Sequence, residues 1–184
     1  IGDSFNQREE LGLIQFSADG RLLATVGRKS RLVKLWDTTS HDLIRTLDDS
    51  PSAISKLCFS SDGQSLYAVS STGTDVRIWD LKTFVSRTIH CPDLASDVTG
   101  FTSVAISPDC QMLALVTAGR SGIELRHPAD GRRLWKASPP QTGCVVQDVF
   151  LTVDGRHLVS ANQNATFFVY RIPHEVISDV AAVR

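Results

Sequence analysis

Residues Phe59 to Asp80 read FSSDGQSLYAVSSTGTDVRIWD. Two alternating apolar runs lie beside Asp-Gly and Thr-Gly turns, and the stretch closes on Trp-Asp. This pattern is typical of paired β-hairpins. The same pattern recurs in residues 16–37 and, more loosely, in residues 106–127 and 151–171. An internal repeat of this kind predicts the fold more strongly than any single motif.

Each copy carries an aspartate in its first turn. These aspartates are 43, 47 and 45 residues apart: Asp19, Asp62, Asp109 and Asp154. A period of about 40 to 45 residues is that of a four-stranded propeller blade. We therefore predict an all-β fold, a β-propeller of about four four-stranded antiparallel blades in one domain over residues 1–184. The predicted blades are residues 11–47, 53–90, 101–137 and 144–180.

Runs of β-branched and aromatic residues between turn formers predict the strands. They are residues 11–16, 22–26, 32–36, 43–47, 53–59, 65–70, 75–79, 84–89, 101–106, 112–117, 122–126, 132–136, 144–151, 157–160, 166–170 and 176–180. Val76 and Ile78 share one face of their strand and Trp79 lies on the other, so both faces are partly apolar. This favours a blade stacked between neighbours over a lone, half-solvated sheet.

Charge and cysteine spacing limit the classes of partner. The 184 residues carry 19 basic and 20 acidic side chains, a formal net charge of -1, which favours neither nucleic acid nor an anionic membrane. No run is long and apolar enough for a membrane span, and the first residues do not resemble a signal peptide. The cysteine spacing does not match a zinc site, so we expect no bound metal. We expect the thiols of Cys58, Cys91, Cys110 and Cys144 to be reduced and the protein to be cytoplasmic.

The turns and closing dipeptides resemble the WD40 repeat family, whose repeat runs from a Phe-Ser-Pro-Asp-Gly turn to Trp-Asp. The first two copies end in Trp-Asp, the third in Arg126-His127 and the fourth in Tyr170-Arg171. The resemblance implies a non-catalytic protein-interaction scaffold, part of a larger signalling or regulatory protein. It also implies structural roles for Trp36, Asp37, Trp79, Asp80 and Tyr170.

Two features of that family are missing. No copy opens with Gly-His, and the turn position that usually carries Asp holds Ser30, Gly73, Arg120 and Asn164. In the family, these positions form a hydrogen-bonded tetrad with a strand Ser or Thr and the Trp, so the tetrad is not carried over. We expect Trp36 and Trp79 to be largely buried between blade layers and held mainly by packing. Arg126, at the equivalent place, should reach solvent because an unpaired buried guanidinium is costly.

The sequence contains no Gly-x-Ser-x-Gly elbow, no phosphate-binding loop and no His-Glu-x-x-His motif. We therefore expect no catalytic residue and no cofactor. The alternative is a propeller-scaffold enzyme such as a lactonase-like hydrolase, to which residues 160–164 and 168–172 bear a faint likeness. A cluster of His, Arg and Glu along the central channel would favour that alternative. The innermost strands are instead mostly apolar or small, with these polar exceptions: Ser55, Lys56, Ser103, Gln147 and Asp148.

A small basic turn is a candidate part of a docking surface. It comprises Arg28, Lys29 and Arg31, and the family resemblance implies that it lies on the same rim as the inter-blade loops. Loops carry binding residues more often than strands. We predict protein or peptide partners on a loop face that comprises Arg28, Lys29, Arg31, Asp48, Asp49, Arg120 and Asn162.

The resemblance implies that a closed ring of this repeat usually needs seven or eight blades, although four is the lower limit for propellers in general. We therefore predict an open arc. Its end blades should present apolar faces drawn from Ile14, Leu23 and Val33 at one end and from Phe167, Phe168 and Tyr170 at the other, and the orientation of the strands decides which side is exposed. Further blades of the parent chain, or self-association, are expected to cover these faces.

Overall fold

The fold consists of four separate antiparallel sheets that follow one another along the chain. The computed structural model describes residues 10–28, 30–48, 53–70, 72–91, 94, 98–118, 122–139 and 144–181. The strands of the first two sheets are β1 (Leu11–Phe16), β2 (Leu22–Gly27), β3 (Val33–Asp37), β4 (Leu43–Leu47), β5 (Ile54–Phe59), β6 (Ser65–Ser70), β7 (Asp75–Asp80) and β8 (Ser86–His90). Those of the other two are β9 (Phe101–Ile106), β10 (Leu113–Thr117), β11 (Gly122–Arg126), β12 (Arg133–Ala137), β13 (Val146–Leu151), β14 (His157–Asn162) and β15 (Phe167–Arg171). Neighbouring strands in each sheet are consecutive in the chain, as in a propeller blade, so the all-β prediction is confirmed.

The predicted boundaries of these strands lie within two residues of the observed ones, and those of β1, β4, β6, β9 and β11 coincide with them. The agreement follows from the turns. In each blade a Ser or Thr hydroxyl donates to the turn aspartate two residues on, as Ser60 does to Asp62 at 2.6 Å. The same carboxylate accepts the backbone N–H of Gln64 at 2.9 Å, and Gly63 adopts a φ of 67°. These are local interactions, so the sequence motif alone determines where the first two strands meet.

The fourth blade has three strands, and its predicted fourth strand is wrong. Residues 176–180 lie in helix α1 (His174–Ala181). In the other blades the turn after the third strand contains one residue with positive φ: His41, Phe84 or Gly131. In the fourth blade the chain instead reaches Pro173, whose carbonyl accepts the N–H of Ile177 at 3.3 Å and begins the helix. Proline immediately before a helical run is a start signal that the strand interpretation overlooked.

Three apolar layers join the four blades. Representative pairs are Leu35 and Trp79 between the first and second blades, Val76 and Leu113 between the second and third, and Leu125 and Leu158 between the third and fourth. Helix α1 adds Val176 and Ile177 to the last of these layers. Each fully buried aliphatic side chain contributes about 1.5 to 3 kcal/mol. The two middle blades are therefore buried on both faces, as the apolar pattern predicted.

The outer faces of the first and fourth blades are exposed. The strand register places Phe16 and Leu43 on the outer face of the first blade. It places Phe150 and Val169 on the outer face of the fourth blade. All four are exposed, as are Ile14 and Phe167. The described residues therefore form an open arc with an apolar face at each end, and the predicted partial ring is confirmed.

The predicted composition of these end faces is correct for Ile14 and Phe167 and wrong for Leu23 and Val33. Val33 is fully buried because it packs on the opposite face, against the second blade. Leu23 lies opposite Trp36 in the sheet and is also buried, so the first blade exposes the edges of its outer face rather than the centre. Phe168 and Tyr170 are half-buried, with Tyr170 packed edge-on against Trp135 of the third blade.

All four cysteines are free thiols. Burial raises the pKa of the Cys58 thiol, so this group stays protonated near neutral pH. Helix α1 is too short to cross a bilayer, and the described residues contain no other helix.

Candidate interaction surfaces

The first strands of the blades, β1, β5, β9 and β13, are in contact in chain order and form the inner edge of the arc. Each of these strands has a β-bulge at the same register, at Gly12, Ser55, Thr102 and Gln147. A bulge leaves one residue unpaired and re-aims the neighbouring side chains. The residues that follow the bulges are Leu13, Lys56, Ser103 and Asp148. Three of the four blades therefore place a polar side chain at one level of the inner edge.

Lys56, Ser103 and Asp148 form a polar cluster that joins three blades. Lys56 Nζ lies 2.5 Å from Asp148 Oδ2, and Ser103 Oγ donates a hydrogen bond to Asp148 Oδ1. The Lys56 and Asp148 side chains are 32% and 24% exposed, so the ion pair is partly screened by water. Because both of its oxygens accept hydrogen bonds, Asp148 is engaged as a structural acceptor. The cluster joins the second and fourth blades across the third.

The inner edge does not show the arrangement expected of a hydrolase. The four inner strands contain no His, Arg or Glu that would polarise a substrate or act as a base. A cavity beside Lys56 has a volume of about 80 Å³, below the range of small-molecule sites. Among the described residues, no group of His, Cys, Asp or Glu could hold a metal ion. Ser55 Oγ is within hydrogen-bonding distance of two carbonyl oxygens, at 3.1 Å from Val69 O and 3.0 Å from Phe101 O.

The predicted loop face is only partly described. Lys29, Asp49 and Arg120 lie outside the described residues, whereas Arg28, Arg31 and Asp48 are exposed. Arg28 Nη1 pairs with Glu10 Oε1 at 2.7 Å, with both side chains mostly in solvent. An exposed pair of this kind contributes at most about 1 kcal/mol, so the Arg28 guanidinium can exchange partners readily.

The assignment of Asn162 to this loop face is wrong. Asn162 ends strand β14, is 6% exposed, and donates through Nδ2 to Thr166 Oγ1 at 3.2 Å. It therefore closes the turn between β14 and β15 from inside the blade. The sequence interpretation treated the polar run around it as loop, whereas the strand extends two residues further than predicted.

Trp36 and Trp79 are buried, at 6% and 1% exposed, as predicted. The expected place between two blades is correct for Trp79 and wrong for Trp36, which lies on the outer face of the first blade opposite Leu23. Trp36 was expected to be held mainly by packing, but a hydrogen bond also holds it. Its Nε1 donates to Thr25 Oγ1 on the neighbouring strand at 2.8 Å.

The prediction that Arg126 reaches solvent is wrong. Arg126 is fully buried, and its guanidinium is paired on two sides. Its Nε and Nη2 donate to Glu124 Oε2 at 2.8 and 2.5 Å, and its Nη1 donates to the Gly131 carbonyl at 2.6 Å. Glu124 lies two residues before Arg126 on the same strand, so the two side chains share a face. The sequence already shows this spacing. Glu124 is the partner that the prediction of an unpaired Arg126 guanidinium did not consider.

Asp37 and Asp80 organise the turns that lead into the fourth strands. Asp37 Oδ1 accepts the backbone N–H groups of Thr39 and Ser40 at 2.7 and 2.9 Å. Asp80 Oδ1 accepts those of Lys82 and Thr83 at 2.9 and 2.7 Å. In both cases these backbone hydrogen bonds hold the pKa of the aspartate below its usual value.

The sequence is similar to those of known repeat proteins. The family model described as the second β-propeller of WD repeat-containing protein 75 matches residues 3–165. The chain belongs to the WD40 repeat family. WD repeat and SOCS box-containing protein 1 of Mus musculus is 33% identical over 107 residues, covering 58% of this chain and 24% of that protein. The U3 small nucleolar RNA-associated protein 15 homolog of Xenopus tropicalis is 30% identical over 117 residues, covering 62% and 21%. The periodic tryptophan protein 2 homolog of Caenorhabditis elegans is 34% identical over 80 residues, covering 43% and 9%.

This WD40 chain spans about a quarter of the length of the WD repeat and SOCS box proteins that it matches. Its four repeats fill the position of the WD40 tryptophan in different ways: Trp36, Trp79, Arg126 and Tyr170. Trp79 lies in the apolar layer against the first blade, and Tyr170 makes an aromatic edge contact with Trp135 of the third blade. Arg126 is instead held by a buried ion pair with Glu124 of its own strand. The degenerate repeats therefore keep the WD40 architecture with different chemistry at one position.

Proposed function

We propose that this chain is a non-catalytic segment of a WD40 protein-interaction scaffold within a larger signalling or regulatory protein. The observation that carries the proposal is the pair of exposed apolar faces at the ends of the four-blade arc. Since WD40 blades bury their faces on one another, these ends fit further blades of the parent chain. The loops at the rim then remain free to bind a protein or peptide partner.

The exposed end of the fourth blade is the clearer of the two faces. Phe150, Phe167 and Val169 are 54%, 69% and 58% exposed. Phe150 and Val169 lie in register through Val159, and Phe167 is two residues before Val169, so the three side chains share one face. Single exposed apolar residues are ordinary, whereas a contiguous row of them is typical of an interface.

Sedimentation of the purified chain at several concentrations tests this proposal. We expect concentration-dependent association, which the double variant Phe167→Lys, Val169→Lys reduces. The control is Val153→Lys, since Val153 is 90% exposed but lies in the turn between β13 and β14. A longer chain that includes the flanking blades of the parent protein should be monomeric. A monomer at every concentration that binds no hydrophobic dye would overturn the proposal.

The rim is the proposed docking surface for partners. Arg28 and Arg31 follow one end of β2, whereas Arg21 precedes its other end. Charge reversal by Arg31→Glu should weaken binding of a partner of the full-length protein, measured by calorimetry, and Arg21→Glu should not. Equal effects of the two reversals would show that binding depends on overall charge rather than on the rim.

The absence of catalysis and the cytoplasmic location are parts of the same proposal. Free thiols at all four cysteines support a reducing compartment. If the chain were a hydrolase, the polar cluster of the inner edge would be the place for its site. A screen of lactones and esters should show no turnover. Turnover that Asp148→Asn abolishes would establish the enzyme alternative instead.

A further inference from the structure

A basic cavity lies at the outer corner of the fourth blade, where helix α1 replaces the fourth strand. Its volume is about 450 Å³. The turn after β13, the end of β15 and the beginning of α1 enclose it. The lining residues are Arg156, Arg171, Ile172, Pro173, His174 and Ile177. Three of the six carry basic side chains and none is acidic.

Neither guanidinium group of the cavity forms an ion pair with a described acid. Both arginines are exposed, and neither makes a side-chain hydrogen bond to a described residue. The charge of Arg156 nevertheless acts on Asp154, whose pKa is lowered first by the Thr152 hydrogen bond and also by Arg156. The acid nearest to Arg156 in sequence, Asp154, is engaged in its own turn, where Oδ1 accepts hydrogen bonds from Thr152 Oγ1 at 2.5 Å and the N–H of Arg156 at 3.0 Å. The acid nearest to Arg171 in sequence is Glu175, which is exposed in the first turn of α1. On the helix, Asp179 is paired with Arg132 of the third blade at 2.8 Å.

The equivalent corners of the first two blades are built differently. The residue in place of Arg171 is Asp37 in the first blade and Asp80 in the second, and each carboxylate is used by its own turn. Arg21 and Gln64 occupy the position of Arg156. The fourth blade therefore places two like charges at neighbouring positions where the first two blades place an acid beside a basic or neutral side chain. Like charges so placed repel each other unless an anion lies between them.

We propose that this corner binds the phosphate group of a phosphorylated side chain on a partner protein. Two arginines offer forked donors that match phosphate oxygens. The first turn of α1 adds the positive end of the helix dipole. Ile172, Pro173 and Ile177 supply an apolar wall beside the basic group. This mixed lining suits a peptide that carries phosphate, whose neighbouring side chains can lie on the apolar wall.

A blade with neighbours on both faces can leave this corner open. Asp80 and Gln64 of the second blade, which are equivalent to Arg171 and Arg156, are exposed, whereas His127, the equivalent of Arg171 in the third blade, is 8% exposed. The site is therefore compatible with the proposed scaffold. The proposed site depends on the scaffold function in one respect only: a partner protein has to supply the phosphate group.

Calorimetry of the full chain tests the site with two probes, inorganic phosphate and a phosphoserine peptide compared with its unphosphorylated twin, all at matched ionic strength. Wild type should bind both phosphate-bearing probes and not the unphosphorylated peptide. Arg156→Gln and Arg171→Gln should each weaken binding about tenfold or more, because a charge-assisted hydrogen-bond pair is lost. Arg21→Gln is the matched control, since it removes the same side chain from the same turn of the first blade.

Urea midpoints of the variants, which alter exposed side chains, should match wild type and so separate lost binding from lost folding. No heat with either probe, or equal weakening by Arg21→Gln, would overturn the site and leave the scaffold function standing. Binding of inorganic phosphate without the phosphopeptide would overturn the assignment to a partner protein. Displacement of the phosphopeptide by a single-stranded RNA of equal charge, with tighter binding of the RNA, would also overturn it.

Discussion

Gly131 offers a direct measure of how closely the second and third blades approach each other. A Cβ added at Gly131 would lie 2.2 Å from the carbonyl oxygen of His90 and 2.7 Å from Ile89 Cγ2, both in β8 of the neighbouring blade. Its φ is +74°, in the left-handed region that L-residues avoid. Gly131→Ala therefore combines backbone strain with a clash between two blades.

The two costs can be separated. The left-handed conformation costs an L-residue about 1 to 2 kcal/mol, and overpacking that displaces backbone costs about 1 to 3 kcal/mol more. We expect Gly131→Ala to lower the free energy of unfolding by about 2 to 5 kcal/mol as the sum of these terms. Gly63→Ala is the control, because Gly63 has a φ of +67° and its added Cβ would meet no atom within 4 Å.

Urea unfolding followed by tryptophan fluorescence provides the assay, at concentrations low enough to suppress association. Gly63→Ala should lose only the conformational part, about 1 to 2 kcal/mol. The difference between the two variants then reports the inter-blade contact. Equal losses in both would refute the close approach of β8 to the turn at Gly131.

Three further predictions address the core and the turns. Trp79→Ala should lower the free energy of unfolding by about 3 to 5 kcal/mol, because it empties a layer between two blades; an unchanged urea midpoint would contradict this. Glu124→Gln should lower the free energy of unfolding by about 3 to 5 kcal/mol, because it leaves the buried guanidinium of Arg126 without its counter-charge. Adding Arg126→Met should recover most of that loss. A double variant as unstable as the single would show that the ion pair is not the cause. Because their carboxylate pKa values lie below the ordinary 3.8, Asp37 and Asp80 stabilise the fold fully above about pH 4 and lose that contribution as pH falls through the folded-state pKa. Urea midpoints from pH 7 to pH 3 should therefore decline less steeply in the Asp37→Asn, Asp80→Asn double variant than in wild type.

The sites followed from the sequence less completely than the fold. The two WD40 tryptophans and the polar residues of the inner edge were identified from the repeat, but their contacts were not. Lys56 and Asp148 are 92 residues apart in sequence and meet only because their strands occupy the same register in blades two and four. The cavity at Arg156 and Arg171 also has no local signature, since it depends on where helix α1 lies.

The sequence by itself determined the number of repeats, the boundaries of most strands and the turns that join them. These features depend on interactions within about five residues, such as the hydroxyl-aspartate turns and the alternation of apolar side chains. The two-residue spacing of Glu124 and Arg126 in the sequence also indicated the partner of Arg126. Arg126 was predicted to be exposed because that prediction considered the cost of burying a charge but not this partner.

Only the tertiary structure decided which face of each end blade is open, how the degenerate repeats fill the tryptophan position, and how the fourth blade ends. Val33 is buried and Phe167 exposed although both are apolar strand residues, because one has a neighbouring blade and the other has none. Helix α1 is retained because Val176 and Ile177 complete the layer against the third blade. Such outcomes depend on packing between blades, a long-range quantity that the pattern within one repeat does not contain.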